Sequence, residues 1–306
     1  MRVAREHFHS VKQLPRSEQL SPGSPMCAGC GGLESLRLIH NLLGENVVFV
    51  NAAGCMTLMA TFPYTPLHGS WLYTNMASAA AGAQGVRDAL DIRLAAGELS
   101  AEDDLQVVVL AGDGSTFDMG LSSTSAAIHR RLDFWYLCYD NEAYGNTGFQ
   151  LSASSPQGSL TATTHQGATL AKKDLFEIWR AHRPPYVATL SPHEPLDLAE
   201  KIERAKMRRG PKLLLTHAVC PTGWGFDPAL SDQMARLAIE TGVWPLKEAV
   251  DGVVRHTYRP SRFLPVEEYL KPQRRFRHLF VPQRDEAMLT LIQSRVNEYW
   301  RHVEEA

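Results

Sequence analysis

Residues 106–116 read Gln106-Val107-Val108-Val109-Leu110-Ala111-Gly112-Asp113-Gly114-Ser115-Thr116. The aliphatic run predicts a buried β-strand, and a helical pattern follows it. Between the two, small residues allow backbone N–H groups to approach a phosphate group closely. Asp113 carries the carboxylate that a hard cation such as Mg²⁺ prefers. A Gly-Asp-Gly turn is also common as a plain strand-to-helix connection, so this segment needs support from the rest of the chain.

The alternation of strand and helix extends on both sides of this segment. Predicted strands are Asn46–Val50, Gln106–Leu110, Phe134–Tyr139, Tyr186–Leu190 and Lys212–His217. Predicted helices are Gly32–Leu43, Met76–Ala96, Leu121–Arg130, Thr169–Ala181 and Pro195–Met207. Short strands that alternate with helices are typical of parallel sheets. We therefore expect an α/β fold: a doubly wound parallel sheet with helices on both faces and a C-terminal extension.

The chain has 306 residues, of which 44% are hydrophobic, and this is enough for one large core. We expect one α/β domain over residues 1–230, with residues 1–25 as an extended arm because Pro15, Pro22 and Pro25 interrupt regular structure. The strand pattern fades after about Ser231, where a short helix is predicted to Glu240. A further amphipathic helix is expected near Asp285–Val303. Residues 231–306 are therefore predicted to pack on the core or on a partner subunit.

Charge and hydropathy exclude several kinds of partner. The formal net charge is -2 and the isoelectric point is about 6.6, which gives no electrostatic reason to expect nucleic-acid binding. No apolar run approaches the roughly 20 residues that span a bilayer. The polar N-terminal segment, with Arg2 and Arg5, lacks the apolar stretch of a secretion signal. We expect a cytoplasmic protein that binds neither membrane nor nucleic acid.

Polar or thiol side chains follow four of the predicted strands within a few residues: Cys55, Asp113, Asn141 and Cys220. In an open parallel sheet the carboxyl ends of the strands form the edge at which ligands bind. We therefore expect these residues to contribute to one composite site. Asn141 and the carbonyl of Ala143 are suitable further oxygen ligands for a magnesium ion held by Asp113.

The cysteines form a second group of candidate ligands. The chain has five, and Cys27, Cys30, Cys55 and Cys220 lie in segments rich in small residues. A reducing compartment disfavours disulfides, so a metal site is the leading interpretation. Their spacing suits both tetrahedral zinc and an iron–sulfur cluster. Cys138 lies within an apolar strand and is expected to be a small buried core residue.

Several segments resemble known sequences. Gly112-Asp113-Gly114, followed by Asn141 at a later strand end, is similar to the motif that binds thiamine diphosphate through magnesium. Residues 26–31 (MCAGCG), 53–55 (AGC) and 218–224 (AVCPTGW) resemble the thiamine-binding β subunit of 2-oxoacid:ferredoxin oxidoreductases. Residues 139–150 (YDNEAYGNTGFQ), 155–158 (SPQG), 265–271 (PVEEYLK) and 275–279 (RFRHL) extend the resemblance to the pyruvate and ketoisovalerate branch of that family.

The resemblance implies a set of site residues. A four-iron, four-sulfur cluster is ligated by Cys27, Cys30, Cys55 and Cys220. Magnesium is held by Asp113, Asn141 and the carbonyl of Ala143. Thiamine diphosphate is contacted by Gly54, Cys55, Gly112, Asp113, Gly114, Ser115, Thr116, Asn141, Asn146 and Thr147. Of these, Asn146 and Thr147 are expected beside the reacting part of the cofactor.

The resemblance also implies the reaction. A 2-oxoacid is oxidatively decarboxylated to acyl-CoA and CO₂, with coenzyme A as co-substrate and with electrons leaving through the cluster. The carboxylate that activates thiamine comes from another subunit in this family, and Glu34, on a predicted helix, is a poor substitute. The chain is therefore expected to be incomplete without an α subunit. It also lacks a two-cluster ferredoxin pattern, so γ and ferredoxin-like δ subunits and an external ferredoxin are the expected electron partners.

Alternatives stay open. Pyruvate is the leading substrate, but Phe149 and Leu151 make the cofactor loop bulkier than in pyruvate enzymes, so a branched-chain or aryl 2-oxoacid is an alternative. If Phe149 points into the core, it says nothing about the substrate. Two functions of other classes are a non-redox thiamine-dependent decarboxylase or lyase with structural zinc, and a noncatalytic scaffold subunit.

Overall fold

The computed structural model describes residues 2–61, 63 and 65–305. The strands in this part of the chain are β1 (Val47–Ala52), β2 (Ser70–Thr74), β3 (Gln106–Gly112), β4 (Trp135–Asp140), β5 (Tyr186–Leu190), β6 (Lys212–His217), β7 (Leu246–Val250) and β8 (Val253–Tyr258). They form one sheet in the order β2-β1-β3-β4-β6-β5-β7-β8. Strands β1 to β6 are parallel to one another, while β7 pairs antiparallel with both β5 and β8.

Helices cover both faces of the sheet. They are α1 (Gly31–Leu43), α2 (Ala79–Ala95), α3 (Leu121–His129), α4 (Leu175–Ala181), α5 (Pro195–Lys206), α6 (Pro221–Trp224), α7 (Ser231–Glu240), α8 (Glu267–Leu270) and α9 (Glu286–Glu305). Apolar residues of α1 and α5 form one core with one face of the sheet. Residues of α2, α3, α4 and α7 form a second core on the opposite face. This confirms the predicted doubly wound α/β fold.

The central strands are buried on both faces, which explains their continuous aliphatic sequences. The edge strand β2 differs, because its residues are exposed or half-buried. Its sequence, Ser-Trp-Leu-Tyr-Thr, carries no buried aliphatic run, and the sequence pattern therefore missed it. No strand was predicted after Ser231 either, yet β7 and β8 extend the same sheet.

Two predicted helices begin later than expected. The helix predicted from Thr169 begins at Leu175, because the side chain of Asp174 accepts a hydrogen bond from the backbone N–H of Glu177 and so caps it. The segment before it is held elsewhere, since the N–H of Lys173 donates to the carbonyl of Ala153 over 2.9 Å. The helix expected from Met76 begins at Ala79. Directly after β3 the chain forms a π-helical turn, Gly114–Met119, before α3.

Both ends of the described chain pack on the chain itself. The N–H of Val3 donates to the carbonyl of Thr257 in β8, and the carboxylate of Glu200 accepts from the N–H groups of His7 and Phe8 at 2.7 Å. At the other end, the indole of Trp300 in α9 donates to the carbonyl of Gly242 over 3.0 Å. No helix in the described residues is both long and apolar enough to cross a bilayer. The predicted division at residue 230 stays a prediction.

Candidate functional site

Four adjacent strands position the candidate site. In the sheet, β1, β3, β4 and β6 lie side by side, and each is hydrogen-bonded in parallel to the next. Cys55 follows β1, Asp113 follows β3, Asn141 follows β4 and Cys220 lies shortly after β6. The carboxyl ends of these strands therefore bring the four residues to one edge, as their sequence positions predict.

Oxygen atoms of two of these turns gather at one point. The end of the Asn141 amide lies 2.7 Å from the carbonyl oxygen of Ala143 and 2.8 Å from Oδ1 of Asp113. A nitrogen at that position donates two hydrogen bonds. An oxygen there places three oxygens together with no proton between them, which is the arrangement that a bound cation stabilises. With the oxygen inward, the amide nitrogen faces Sγ of Cys55 at 3.9 Å.

Asp113 is almost completely buried, at 1% exposure. Burial raises the pKa of its carboxyl, the nearby Asp140 raises it further, and a hydrogen bond from Ser152 lowers it. The hydroxyl of Ser152 donates to Oδ2 over 2.5 Å, which leaves Oδ1 facing Asn141. A cation at Oδ1 would compensate the buried carboxylate, because unpaired buried charges are costly.

The Gly-Asp-Gly turn is closed by two tyrosines. A Cβ at Gly112 would lie 3.1 Å from the ring of Tyr139, and one at Gly114 would lie 2.3 Å from the ring of Tyr144. The hydroxyl of Tyr144 also donates to the carbonyl of Gly114 over 3.2 Å. Glycine is therefore required at position 114 by the close approach of the ring rather than by its backbone angles.

The hydroxyls of Ser115 and Thr116 hold the turn in place. Ser115 donates to the carbonyl of Met76, and Thr116 donates to the carbonyl of Gly112 over 2.8 Å. Both residues are buried. Their hydroxyl protons are thus used within the chain, and a contact from either to a cofactor stays a prediction.

Tyr139 connects the turns after β1 and β3. Its hydroxyl accepts a hydrogen bond from the N–H of Met56 over 3.4 Å, and a Cβ at Gly54 would lie 2.6 Å from that oxygen. The ring also packs on Gly112. The sequence analysis placed Tyr139 at the end of a strand and at the start of the segment 139–150, but assigned it no role in the site.

The segment that carries Cys27 and Cys30 packs against the segment that carries Cys220. The N–H of Gly31 donates to the carbonyl of Val219 over 3.1 Å, and a Cβ at Gly31 would lie 2.7 Å from the backbone nitrogen of Val219. Cys30 and Cys220 each precede the first residue of a helix. Their sulfur atoms accept hydrogen bonds from the N–H groups of Leu33, at 3.4 Å, and Gly223, at 3.3 Å.

The four thiols are close enough to interact electrostatically. Burial raises the pKa of Cys55 to about 12, with further contributions from Cys220, Cys30, Asp113 and Cys27. Burial likewise raises the pKa of Cys220 to about 11, with contributions from Cys30 and Cys27 and an opposing hydrogen bond from Gly223. Over the ranges that the structure describes, no three His, Cys, Asp or Glu side chains converge closely enough to hold a single metal ion. The thiols are therefore neighbours that do not meet at one point.

Comparisons with known proteins agree with this arrangement. The family described as thiamine pyrophosphate enzyme, C-terminal TPP binding domain, matches residues 52–215. The chain is 45% identical over 278 residues to pyruvate synthase subunit PorB of Methanothermobacter thermautotrophicus, covering 89% of this chain and 94% of that protein. It is 36% identical over 274 residues to ketoisovalerate oxidoreductase subunit VorB of Pyrococcus horikoshii, covering 87% and 88%.

The chain belongs to the PorB/VorB family of thiamine diphosphate-dependent 2-oxoacid oxidoreductase β subunits. This confirms the resemblance drawn from its cysteine segments and its Gly-Asp-Gly turn. A solved 2-oxoglutarate:ferredoxin oxidoreductase from Magnetococcus marinus, with 2-oxoglutarate, coenzyme A and succinyl-CoA bound, has a TM-score of 0.56 to this chain. At 22% identity, covering 76% of this chain and 84% of that one, it supports the fold.

The loop after Asn141 places the other predicted site residues of this PorB/VorB-family chain. An isolated bridge between Tyr144 and Gln150 closes the loop, and Asn146 and Thr147 are exposed at its tip. The hydroxyl of Thr147 lies 2.5 Å from Oε1 of Gln150. Asn146 and Thr147 thus follow β4 at the edge of the sheet where Asp113 lies, but no contact among the described residues draws them to Asp113. Their contact with the cofactor stays a prediction.

Phe149 lies over the cysteine-bearing turn. It has a φ of 68°, which is unusual for an aromatic residue. A Cβ at Gly223 would lie 2.3 Å from its ring and 3.1 Å from Sγ of Cys220. The ring also packs on the core that α2, α3, α4 and α7 form with the sheet. Because Phe149 is used to cover Gly223 beside Cys220, its bulk carries no information about the substrate. Leu151 is 42% exposed.

Behind the loop, the PorB/VorB-family chain has buried charges that the sequence did not reveal. Nζ of Lys172 donates to Asp140 over 2.6 Å and to Glu142 over 3.3 Å. The guanidinium of Arg275 donates to Glu142 over 2.5 Å and lies 4.0 Å from the ring of Trp224. The only available signal was that acidic residues on both sides of Asn141 require cations. Which cations these are depends on tertiary contacts.

Trp224 connects the segment that carries Cys220 to the oxygens of Asp113, Asn141 and Ala143, which we call the oxygen group. Its indole donates to the carbonyl of Asn141 over 2.9 Å, and its side chain is fully buried. His217, the last residue of β6, stacks on this tryptophan, and its Nε2 lies 3.2 Å from the hydroxyl of Tyr269. Burial lowers the pKa of His217 to about 3. The thiols and the oxygen group are therefore parts of one continuous structure.

Proposed function

We propose that this β subunit binds thiamine diphosphate through a magnesium ion and also carries a four-iron, four-sulfur cluster. Together these would support the oxidative decarboxylation of a 2-oxoacid to acyl-CoA and CO₂. The observation that carries the proposal is that the oxygens of Asp113, Asn141 and Ala143 lie beside Cys55 and Cys220 at the ends of adjacent strands, and that the segment with Cys27 and Cys30 packs on the Cys220 segment. Thiamine diphosphate supplies the covalent chemistry at the substrate's keto carbon when it is bound.

The oxygen group fits magnesium. A buried carboxylate, an amide and a backbone carbonyl are oxygen donors that a hard cation accepts, and the remaining coordination positions of Mg²⁺ are commonly filled by water and phosphate oxygens. The carboxylate of Asp113 retains one oxygen free of the Ser152 hydrogen bond. Gly112 and Gly114 keep the adjoining turn small, so that a diphosphate is able to approach the backbone.

The thiols fit a cluster better than a single zinc ion. A tetrahedral zinc site requires all four sulfurs within about 2.3 Å of one point. A cluster has its irons at separate corners, so its thiolate ligands are spread apart. The sulfurs of Cys30 and Cys220 accept from the N–H groups of Leu33 and Gly223, which is favourable for a cluster, and a thiamine site that oxidises its substrate needs an electron carrier, which zinc is not. Hydrogen bonds to sulfur also tune cluster potentials.

Among the described residues, the acids next to Asn141 and the acid after the first cysteine pair are not available to activate the cofactor. Asp140 and Glu142, the buried acids that flank Asn141, are paired with Lys172 and Arg275. Glu34 is exposed on the first turn of α1. We therefore propose that a carboxylate from an α subunit completes the site, and that γ and ferredoxin-like δ subunits carry electrons to an external ferredoxin.

Pyruvate is the proposed substrate, with coenzyme A as acceptor of the acyl group. The relatives named as pyruvate synthase subunits include the 45% identical PorB, and the packing of Phe149 on Gly223 weakens the part of the case for a bulkier acid that rests on Phe149. A branched-chain 2-oxoacid is the second candidate, because a ketoisovalerate oxidoreductase subunit is 36% identical. We place the protein in the cytoplasm, where thiols stay reduced.

The test is metal analysis of anaerobically purified protein. We expect about four irons and four acid-labile sulfides per chain and an electron paramagnetic resonance signal on reduction. Cys220→Ser should lose most of the iron, whereas Cys138→Ser, in the buried strand β4, should keep it. Zinc without sulfide would support a non-redox enzyme instead. If neither metal is present and thiamine diphosphate does not bind with magnesium, the scaffold interpretation is correct.

A further inference from the structure

A cavity of about 360 Å³ lies between the sheet and the C-terminal helix α9. Its walls include Phe176, Trp244, Leu270, Val296 and Tyr299. The volume falls within the range of roughly 300–1,000 Å³ that is typical of small-molecule sites. The cavity shares Glu142 and Lys172 with the back of the oxygen-bearing loop, but none of the predicted thiamine, magnesium or cysteine ligands lines it.

Lys247 is the unusual residue of this cavity. It lies in β7, it is 6% exposed, and it lines the cavity. In the described part of the chain its ammonium donates no hydrogen bond, and the nearest carboxylate oxygen, on Glu177, is 4.0 Å away. Its other contacts are the rings of Phe176 and Tyr299, with centroids at 4.3 Å and 5.1 Å. A buried ammonium without a hydrogen-bonding partner is costly.

The other cations at the cavity are already engaged. Lys172 donates to Asp140 and Glu142, Lys173 pairs with Asp118 at 3.0 Å, and Arg295 donates to Gln157. The cavity also contains Asp174, which caps α4. Among the residues that line the cavity, four are basic and two, Glu142 and Asp174, are acidic, so an anion is favoured, and Lys247 is the group that has donors to spare. Burial lowers the pKa of Lys247, and a bound anion would oppose this.

We propose that this cavity binds a small carboxylate with an apolar body, and that the carboxylate contacts the ammonium of Lys247. A charge-assisted hydrogen bond satisfies the lysine, and the apolar body of the ligand displaces water from the aromatic and aliphatic walls. A phosphate group is a poorer fit, since one free ammonium offers far fewer donors than phosphate sites usually provide. A cationic ligand is disfavoured by the four basic side chains.

The test uses the full chain and octanoate as the probe, with binding measured by calorimetry. We expect saturable binding, and we expect 1-octanol and octylamine, which share the chain but not the charge, to bind at least about tenfold more weakly. Lys247→Met should weaken octanoate binding by about tenfold or more. Val296→Trp should do so as well, because it fills the cavity and leaves the ammonium in place. Lys271→Met, at an exposed position, should bind as the original chain does.

Three results would overturn the proposal: no octanoate binding up to about 1 mM, equal binding by octylamine, or unchanged octanoate binding in either Lys247→Met or Val296→Trp. Thermal melting of each variant separates a lost site from a lost fold. Asp113→Ala should retain octanoate binding. The proposal therefore stands or fails independently of the thiamine assignment.

Discussion

Arg275 and Glu142 form a buried ion pair, with 2.5 Å between Nη2 and Oε2 and with both side chains no more than 3% exposed. Glu142 follows Asn141 directly and has a φ of 64°, in the left-handed region. Arg275 belongs to the C-terminal part of the chain. One ion pair therefore ties the C-terminal part of the chain to the turn that carries the oxygen group.

Glu142→Gln should destabilise the protein strongly. Burial alone would raise the pKa of Glu142, but Arg275 and Lys172 hold it below its usual value, so the carboxylate is charged in the folded state. Removing one partner of a buried pair costs about 3–5 kcal/mol in the free energy of unfolding. Urea unfolding measures this loss. The matched control is Glu240→Gln, which breaks a half-exposed pair with Arg236 and should cost about 0–1 kcal/mol. Equal losses in the two variants would refute the structural importance of the buried pair.

Asp113→Ala should abolish magnesium-dependent binding of thiamine diphosphate while the chain stays folded. The substitution removes one of the three oxygens that gather with Asn141 and Ala143. It also removes a buried carboxylate that is unfavourable without a cation. Calorimetry with and without Mg²⁺ gives the affinity, and circular dichroism reports the fold. Asp88→Asn, on the exposed side of α2, is the control and should bind normally. Unchanged affinity in Asp113→Ala would show that the cofactor binds elsewhere.

Gly114→Ala should weaken cofactor binding, whereas Gly85→Ala should stabilise the folded chain. A Cβ at Gly114 would lie 2.3 Å from the ring of Tyr144, so the ring must move and the turn should bind cofactor at least about tenfold more weakly. Nothing lies within 4 Å of a Cβ at Gly85 in α2, where alanine should stabilise the helix by about 1 kcal/mol. Thermal unfolding and cofactor titration of both variants test this. If Gly114→Ala binds the cofactor as tightly as the original chain does, the ring of Tyr144 must move aside at little cost.

The pH dependence of stability should contain a contribution from His40. Burial lowers its pKa from 6.5 to about 4, and neither ring nitrogen has a partner among the described residues. The unfolded chain binds a proton below pH 6.5 that the folded chain does not accept until about pH 4. Stability from the neutral ring is therefore present above pH 6.5 and is lost as the pH falls. Between pH 7 and pH 5 this amounts to about 2 kcal/mol.

His40→Leu should flatten the curve of unfolding free energy against pH by that amount, and His9→Leu, at an exposed position, should not. Urea titrations at several pH values provide the curves. If the His40→Leu curve keeps the original slope, the acid sensitivity arises from other buried groups, of which His217 is the first to examine.

The sequence predicted the parts of the fold that depend on local composition. Strands such as β3 and β6 are buried on both faces, so their sequences are continuous aliphatic runs. The site followed from the same logic, because residues placed just after parallel strands must meet at one edge. Asp113, Asn141, Cys55 and Cys220 were predicted in this way, whereas Cys27 and Cys30 were predicted from their Cys-x-x-Cys spacing.

What the sequence missed depends on long-range pairing. Strand β7 contains Lys247 and Glu248, both buried, and two adjacent charges do not suggest a core strand. Glu248 is accommodated by Arg204 and Arg255, which lie on α5 and β8. In the same way, the pairing of Glu142 with Arg275 bridges 133 positions of the sequence. No local pattern identifies the partner in either case.

The strand order also has a consequence for how the protein matures in the cell. Cys27 and Cys30 precede α1, Cys55 follows β1, and Cys220 follows β6, so the thiols come together only after β1, β3, β4 and β6 have paired. Under the proposed cluster assignment, a nascent chain that has not yet completed this sheet would lack the assembled ligands for iron. Incorporated metal would then mark a subunit whose central sheet is complete.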